Sequence, residues 1–132
     1  MNYLLDTHAL IWALFDPEKL SPLVRDTIVS QENDIAVSVV SFWEISLKFA
    51  IGKLELYGVK PEELPDYAEQ MDIEIIPIHS SEAASFYKLP RIEHKDPFDR
   101  MIVWQAIQRK IGLISKDHYL NEYQRFGLKT FW

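Results

Sequence analysis

Four short apolar runs, at residues 3–5, 35–40, 73–78 and 113–115, alternate with longer stretches whose apolar residues recur at helical spacing. That alternation constrains the fold more than any single residue does. Two parallel strands need a crossover of a dozen or more residues between them, and a helix that covers one sheet face is the usual solution. The expected fold class is therefore α/β, a parallel-sheet α/β/α sandwich. With 132 residues, 48% of them hydrophobic, the chain suits a single domain over 1–132 and is short for two. No repeat, linker or low-complexity segment interrupts it.

The run at 3–5 reads as a central strand, and the stretch 9–15 is so apolar that a helix there must be almost fully covered. Ser21 followed by Pro22 is an N-cap with proline at the first helical position, opening a short helix that fades at 32–34. The β-branched run 35–40 is the second strand. Ser41 is expected to start the next helix, with Phe42, Ile45 and Phe49 as its apolar stripe and Gly52 as its stop. Pro61 begins another helix, 73–78 is the third strand, and Ser80 or Ser81 caps a helix to about 89. The longest helical pattern spans 97–110 and is expected to end at Gly112. The fourth strand is 113–115, a short helix follows Asp117, and 128–131 is a candidate edge strand.

Four acids, Asp6, Glu44, Asp99 and Asp117, each stand where an apolar run or turn gives way to a helical run. In an open parallel sheet, ligands bind beyond the carboxyl ends of the strands, so residues at successive junctions can converge. Carboxylates gathered there would repel one another, and one or two hard divalent cations relieve that repulsion. Each acid also has a structural reading, since helix N-termini favour caps and negative charge. Ser41 and Glu44 have capping-box spacing, and Glu44 could pair with Lys48 one turn on. Asp96 before Pro97 is a good cap, which leaves Asp99 as a box partner; Asp117 and Asp6 could each cap the helix that follows, with Thr7 competing. The two readings are compatible, because a carboxylate held at a helix N-terminus is also oriented as a metal ligand must be.

Composition removes several alternatives. There is no cysteine, hence no disulfide or thiolate metal site. No stretch approaches the roughly 20 apolar residues of a membrane span, and the first residues lack signal-peptide character, so no membrane association and a cytoplasmic location are expected. The net charge of −6 argues against a general nucleic-acid coating protein, but it is unevenly spread. Residues 1–66 carry five Lys/Arg against eleven Asp/Glu, whereas 67–132 carry nine of each. Lys88, Arg91, His94, Lys95 and Arg100 form a basic cluster beside Asp96 and Asp99, which can also be read as a solvated loop of mixed charge. The four histidines are expected at surface or structural positions, His8 alone adjoining the site through Asp6.

The run Leu4-Leu5-Asp6-Thr7-His8, the pair Ser41 and Glu44 leading to Lys48 and Gly52-Lys53-Leu54, the stretch Asp96-Pro97-Phe98-Asp99-Arg100 with Ala106 after it, and Ser115-Lys116-Asp117 together resemble a PIN-domain ribonuclease, most of all the VapC-type toxins of bacterial toxin-antitoxin pairs. The resemblance covers almost the whole chain, in order. It implies a PIN-like parallel sheet, a Mg2+ or Mn2+ dependent endoribonuclease that hydrolyses RNA phosphodiester bonds, and a cognate antitoxin that blocks the site. Carried over by position, Asp6, Glu44, Asp99 and Asp117 form the catalytic acidic set, with Asp6 and Asp99 as the direct metal ligands. Asp96 is an additional acid without an assigned role. Ser115 stands where many relatives have threonine, keeping the hydroxyl.

On this reading Glu44 and Asp117 complete the shell through water or a second ion, and Arg100, Ser115 and Lys116 are the substrate-binding candidates, with Arg100 or Lys116 positioning the scissile phosphate. Phe15, Trp43 and Phe49 suit a homodimer contact or an antitoxin groove. The competing readings are a catalytically silent interaction module of the same fold and a receiver-like phosphoryl-transfer domain. The latter wants an acceptor aspartate after the third strand, where this chain has His79-Ser80-Ser81. A haloacid-dehalogenase-type phosphatase would want an aspartate at position 8, which is histidine.

Overall fold

The computed structural model describes residues 1–132. Its five strands are β1 (Asn2–Leu5), β2 (Asp34–Ser38), β3 (Glu74–Ile76), β4 (Gly112–Ile114) and β5 (Lys129–Phe131). They form one parallel sheet in the order β3-β2-β1-β4-β5. The chain builds outward from β1 to β3, then returns to lay β4 against the free side of β1. The sheet thus changes winding direction beside its central strand, which is where ligands of open α/β sheets bind.

Alternating side chains of the strands feed two cores, as strand geometry requires. Tyr3, Leu5, Ile35, Val37 and Ile114 face α1 (Thr7–Phe15), α2 (Pro22–Val29) and α4 (Leu64–Gln70). Leu4, Ala36, Ile76 and Leu113 face the opposite layer, built mainly by α6 (Pro97–Arg109) and a 3-10 helix at His118–Phe126. α3 (Val39–Ala50) serves both cores, Ile45 entering the first and Val40 the second. The short α5 (Ser80–Ser85) packs on α6, and the Trp104 indole donates to Ser85 Oγ at 3.2 Å. Leu4, Leu5, Leu10, Ile45 and Leu113 are each fully buried. Burial of each such side chain is worth about 1.5–3 kcal/mol.

The α/β/α expectation holds, and so do the five strands, but several boundaries move. α3 begins at Val39, two residues before the expected Ser41, because the Ser38 hydroxyl accepts from the Val40 amide and caps it. The β-branched pair Val39-Val40 continues the pattern of the strand yet belongs to the helix. The strand at 73–78 is shortened to three residues, and that at 113–115 keeps its length but begins one residue earlier. α6 ends at Lys110, in the left-handed region with φ of 55°, rather than at Gly112. Gly112 instead opens β4, where a Cβ would lie 2.4 Å from Phe131 Cε2, so the small residue permits the close approach of β5. The helix expected from Ser80 or Ser81 is capped at His79, whose amide donates to Glu82 Oε1 at 2.8 Å.

Candidate metal centre

The register of the sheet brings distant residues together. Leu5 pairs with Val37 on one side and Ile114 on the other, so Asp6 leaves the centre of the sheet between the Ser38 and Ser115 junctions. Asp6 caps α1, its Oδ1 accepting from the Ala9 amide at 2.8 Å. Asp117 caps the following 3-10 helix through the Tyr119 amide at 2.9 Å, and Ser115 Oγ accepts from the Asp117 amide at 3.1 Å. Asp96 caps α6, with Oδ1 accepting from the Phe98 and Asp99 amides. Three of the acids therefore do perform the structural job that competed with a site.

Glu44 does not. The earlier start of α3 places Ser41 in the first turn and Glu44 a full turn further along, with Ser41 fully buried and Glu44 only 2% exposed. A carboxylate in so dry a place needs donors on both oxygens. Thr7 donates to Oε1 at 2.6 Å and Lys48 holds Oε2. Thr7 Oγ1 also lies 3.0 Å from Ser41 Oγ, so the two hydroxyls form a short chain ending on the glutamate. Asp99 likewise makes no reciprocal bond to its cap and instead faces His94, with Nε2 3.3 Å from Oδ2.

Asp99 is the focus of the arrangement. Carboxylate oxygens of Glu44, Asp96 and Asp99 lie within 4.8 Å of one another, and so do ligand atoms of His94, Asp99 and Asp117. Burial, followed by the charges of Asp96, Glu44, Asp6 and Asp117, pushes the Asp99 carboxyl up to about 7. Burial also raises Asp6, opposed by the Ser115 hydroxyl and the Ala9 amide. Glu44, Asp99 and Asp117 thus converge with Asp96 among them, while Asp6 is coupled to Asp99 and Asp117 through space. Oxygen donors from carboxylates with one imidazole beside them are a set suited to a hard divalent ion. For Lys48, the Glu44 bond and the charges of Glu44, Asp96 and Asp99 outweigh the lowering effect of burial and raise its affinity for a proton.

The basic candidates are placed differently from one another. Arg100 is already engaged, donating to the Pro90 and Leu89 carbonyls at 3.2 Å and to the Tyr123 hydroxyl at 3.1 Å, with Phe86 beneath it. It braces the loop that carries His94 rather than presenting a free guanidinium. Lys116 lies over the Trp12 ring, 5.8 Å from its centroid. Arg91, Ile92, His94, Lys95 and Arg100 line a cleft of about 300 Å3 beside Asp99. His94 was not singled out by sequence reasoning, which expected a surface or structural role. Its only signal was membership of the basic cluster ahead of Asp96.

Of the aromatic residues named as an interface, Trp43 is 62% and Phe49 40% exposed, whereas Phe15 is half-buried and stacks on Tyr57. Phe42, Trp43, Phe49, Pro61 and Pro65 line an open apolar groove along α3. No helix is long and apolar enough to cross a membrane.

A PIN domain family model matches residues 3–125. Ribonuclease VapC22 of Mycobacterium tuberculosis (strain ATCC 25618 / H37Rv) is 27% identical over 129 residues, covering 98% of this chain and 97% of that protein. Among solved structures, VapBC2 from Rickettsia felis, bound to a DNA fragment from its promoter, superimposes with a TM-score of 0.67 at 18% identity, covering 99% of this chain and 98% of the other. VapBC-5 from Mycobacterium tuberculosis, described as a member of the VapBC family of toxin-antitoxin systems, gives 0.58 at 18% identity over 98% and 97%.

Proposed function

This chain belongs to the PIN domain family, and from that premise we propose that it is a metal-dependent endoribonuclease acting as the toxin of a toxin-antitoxin pair. The observation that carries the reading is the clustering of Glu44, Asp96 and Asp117 around Asp99, whose carboxyl is raised to about 7, with Asp6 at the end of β1 adding its charge through space. So many acids together are costly without a cation, and capping accounts for only three of them. Likeness to a protein named as a ribonuclease, along nearly the whole of both chains, supports RNA as the substrate.

Asp6 and Asp99 would hold Mg2+ or Mn2+, with Asp117 and, through water, Glu44 completing the shell. A bound divalent ion supplies an activated water and neutralises charge building on the phosphate. The protein's part is orientation. The Ala9 amide fixes Asp6, the Thr7 hydroxyl and Lys48 fix Glu44, and the Tyr119 amide fixes Asp117. Ser115, Lys116, Arg91 and Lys95 are the groups we assign to the RNA backbone, and Arg100 steadies the 89–95 loop from behind. The toxin-antitoxin relatives support a protein antitoxin as partner, and the exposed α3 groove suits such a partner or a second copy of the chain.

The test is incubation of the purified chain with total RNA, with and without Mg2+ or Mn2+, followed by mapping of new ends. Discrete, metal-dependent ends that vanish in Asp6→Asn are expected. A protein that leaves RNA intact in every metal would overturn the nuclease reading in favour of a silent interaction module.

A further inference from the structure

We propose that Lys48 is a built-in cation standing in place of a second divalent ion, so that the chain binds one ion rather than two. This rests on the metal-site reading above and adds the number of ions to it. The acids form two overlapping groups that share Asp99, one with Asp117 and His94, the other with Glu44 and Asp96. Two ions a few ångströms apart are a common answer to such a layout in phosphodiester chemistry. In this chain the second group already contains a positive charge. The Lys48 ammonium holds Glu44 Oε2, and the Asp96 and Asp99 carboxylates act on the same ammonium through space.

The oxygens of that group are also largely committed. Glu44 Oε1 accepts from Thr7, Glu44 Oε2 from Lys48, and Asp96 Oδ1 from two amides of α6. A divalent ion entering there would have to strip a bonded ammonium from a carboxylate that is 2% exposed. Lys48 cannot diffuse away, because it is attached one turn along α3 from Glu44, and it is itself half-buried, its side chain 33% exposed. An ordinary i, i+4 pair on a helix surface has neither partner buried; this pair is buried at its acidic end and faces two further acids. The group of His94, Asp99 and Asp117 holds no ammonium or guanidinium, its one basic side chain being the His94 imidazole.

The experiment counts Mn2+ ions bound by the full chain at neutral pH, by calorimetric titration and by the electron paramagnetic resonance signal of free Mn2+. One ion per chain is expected for the wild type and for Lys48→Arg, and two for Lys48→Met, the second binding at least tenfold more weakly. Lys48→Gln replaces Lys48→Met if circular dichroism shows that the latter has not folded. Two ions in the wild type, or a single ion in the folded neutral variant, overturns the inference and leaves the metal site standing. No ion in the wild type overturns the metal-site reading and this inference with it.

Discussion

The Thr7 hydroxyl donates to Glu44 Oε1 at 2.6 Å, tying the first turn of α1 to the second turn of α3 across 37 residues. Thr7→Val keeps the shape and removes the donor, leaving a buried carboxylate oxygen unsatisfied. The expected cost is about 1–3 kcal/mol, read as a lower urea midpoint. Cleavage should fall with it, while Thr7→Ser retains both. Equal stability of Thr7→Val and wild type would show that the bond does not hold Glu44.

Asp6→Asn separates the two jobs of one side chain. Asparagine caps a helix about as well as aspartate, so the Ala9 bond survives and α1 should be undisturbed. Burial penalises the charged form of Asp6, so the neutral amide should leave the metal-free protein equally or more stable. Cleavage should drop by at least about 100-fold, the order expected when an oriented charged group is lost from a reaction site. Wild-type cleavage rates with metal present would remove Asp6 from the site.

Asp99 makes the stability of the metal-free protein depend on pH in an unusual direction. Its folded value of about 7 lies above the ordinary 3.8, so between these values the folded state keeps a proton that the unfolded state has released. Stability should therefore fall as pH rises from about 4 to 7 and change no further from this group above that. Denaturation in chelator across that range measures it. Adding Mn2+ should restore stability at neutral pH, by about 2.7 kcal/mol when the ion is at 100 times its dissociation constant. A melting point indifferent to both chelator and Mn2+ at pH 7 would contradict the metal reading.

Glu82 should behave in the opposite sense. Although burial alone would raise it, its bonds from Arg109, the His79 amide and Gln105 hold its carboxyl down at about 2. Its stabilising contribution is complete above the ordinary value of 4.5 and is lost as pH falls through 2. Removing one partner of a buried pair costs about 3–5 kcal/mol, and less here because the Arg109 side chain is 22% exposed. Glu82→Gln should lower the urea midpoint at pH 7 and flatten its acid dependence; an unchanged midpoint would mean that the network is not structural.

The layered fold and the four junction acids were legible because both rest on local pattern. Apolar runs, helix caps and junction positions are written in adjacent residues, and Ser21, Asp6 and Asp96 cap the helices that their neighbourhoods indicate. What escaped depends on competition between local signals or on space. Val39 and Val40 have the propensity of a strand, and only the Ser38 cap turns them into a helix, which moves Glu44 from a helix end into the interior. His94 lies in a loop without periodicity, so nothing along the chain reveals its approach to Asp99. Arg100 is adjacent in sequence to Asp99, yet successive residues on a helix point in different directions, and it turns to Tyr123 and the loop carbonyls instead.

The central place of β1 also governs when the site can exist during synthesis. β1 leaves the ribosome first but acquires its second neighbour only when β4, at Gly112–Ile114, has emerged. Until then Asp6 ends an edge strand, and neither Ser115 nor Asp117 is available to it. Pairings between such distant segments form late and slowly. The site therefore cannot assemble on a nascent chain before β4 has emerged and paired with β1.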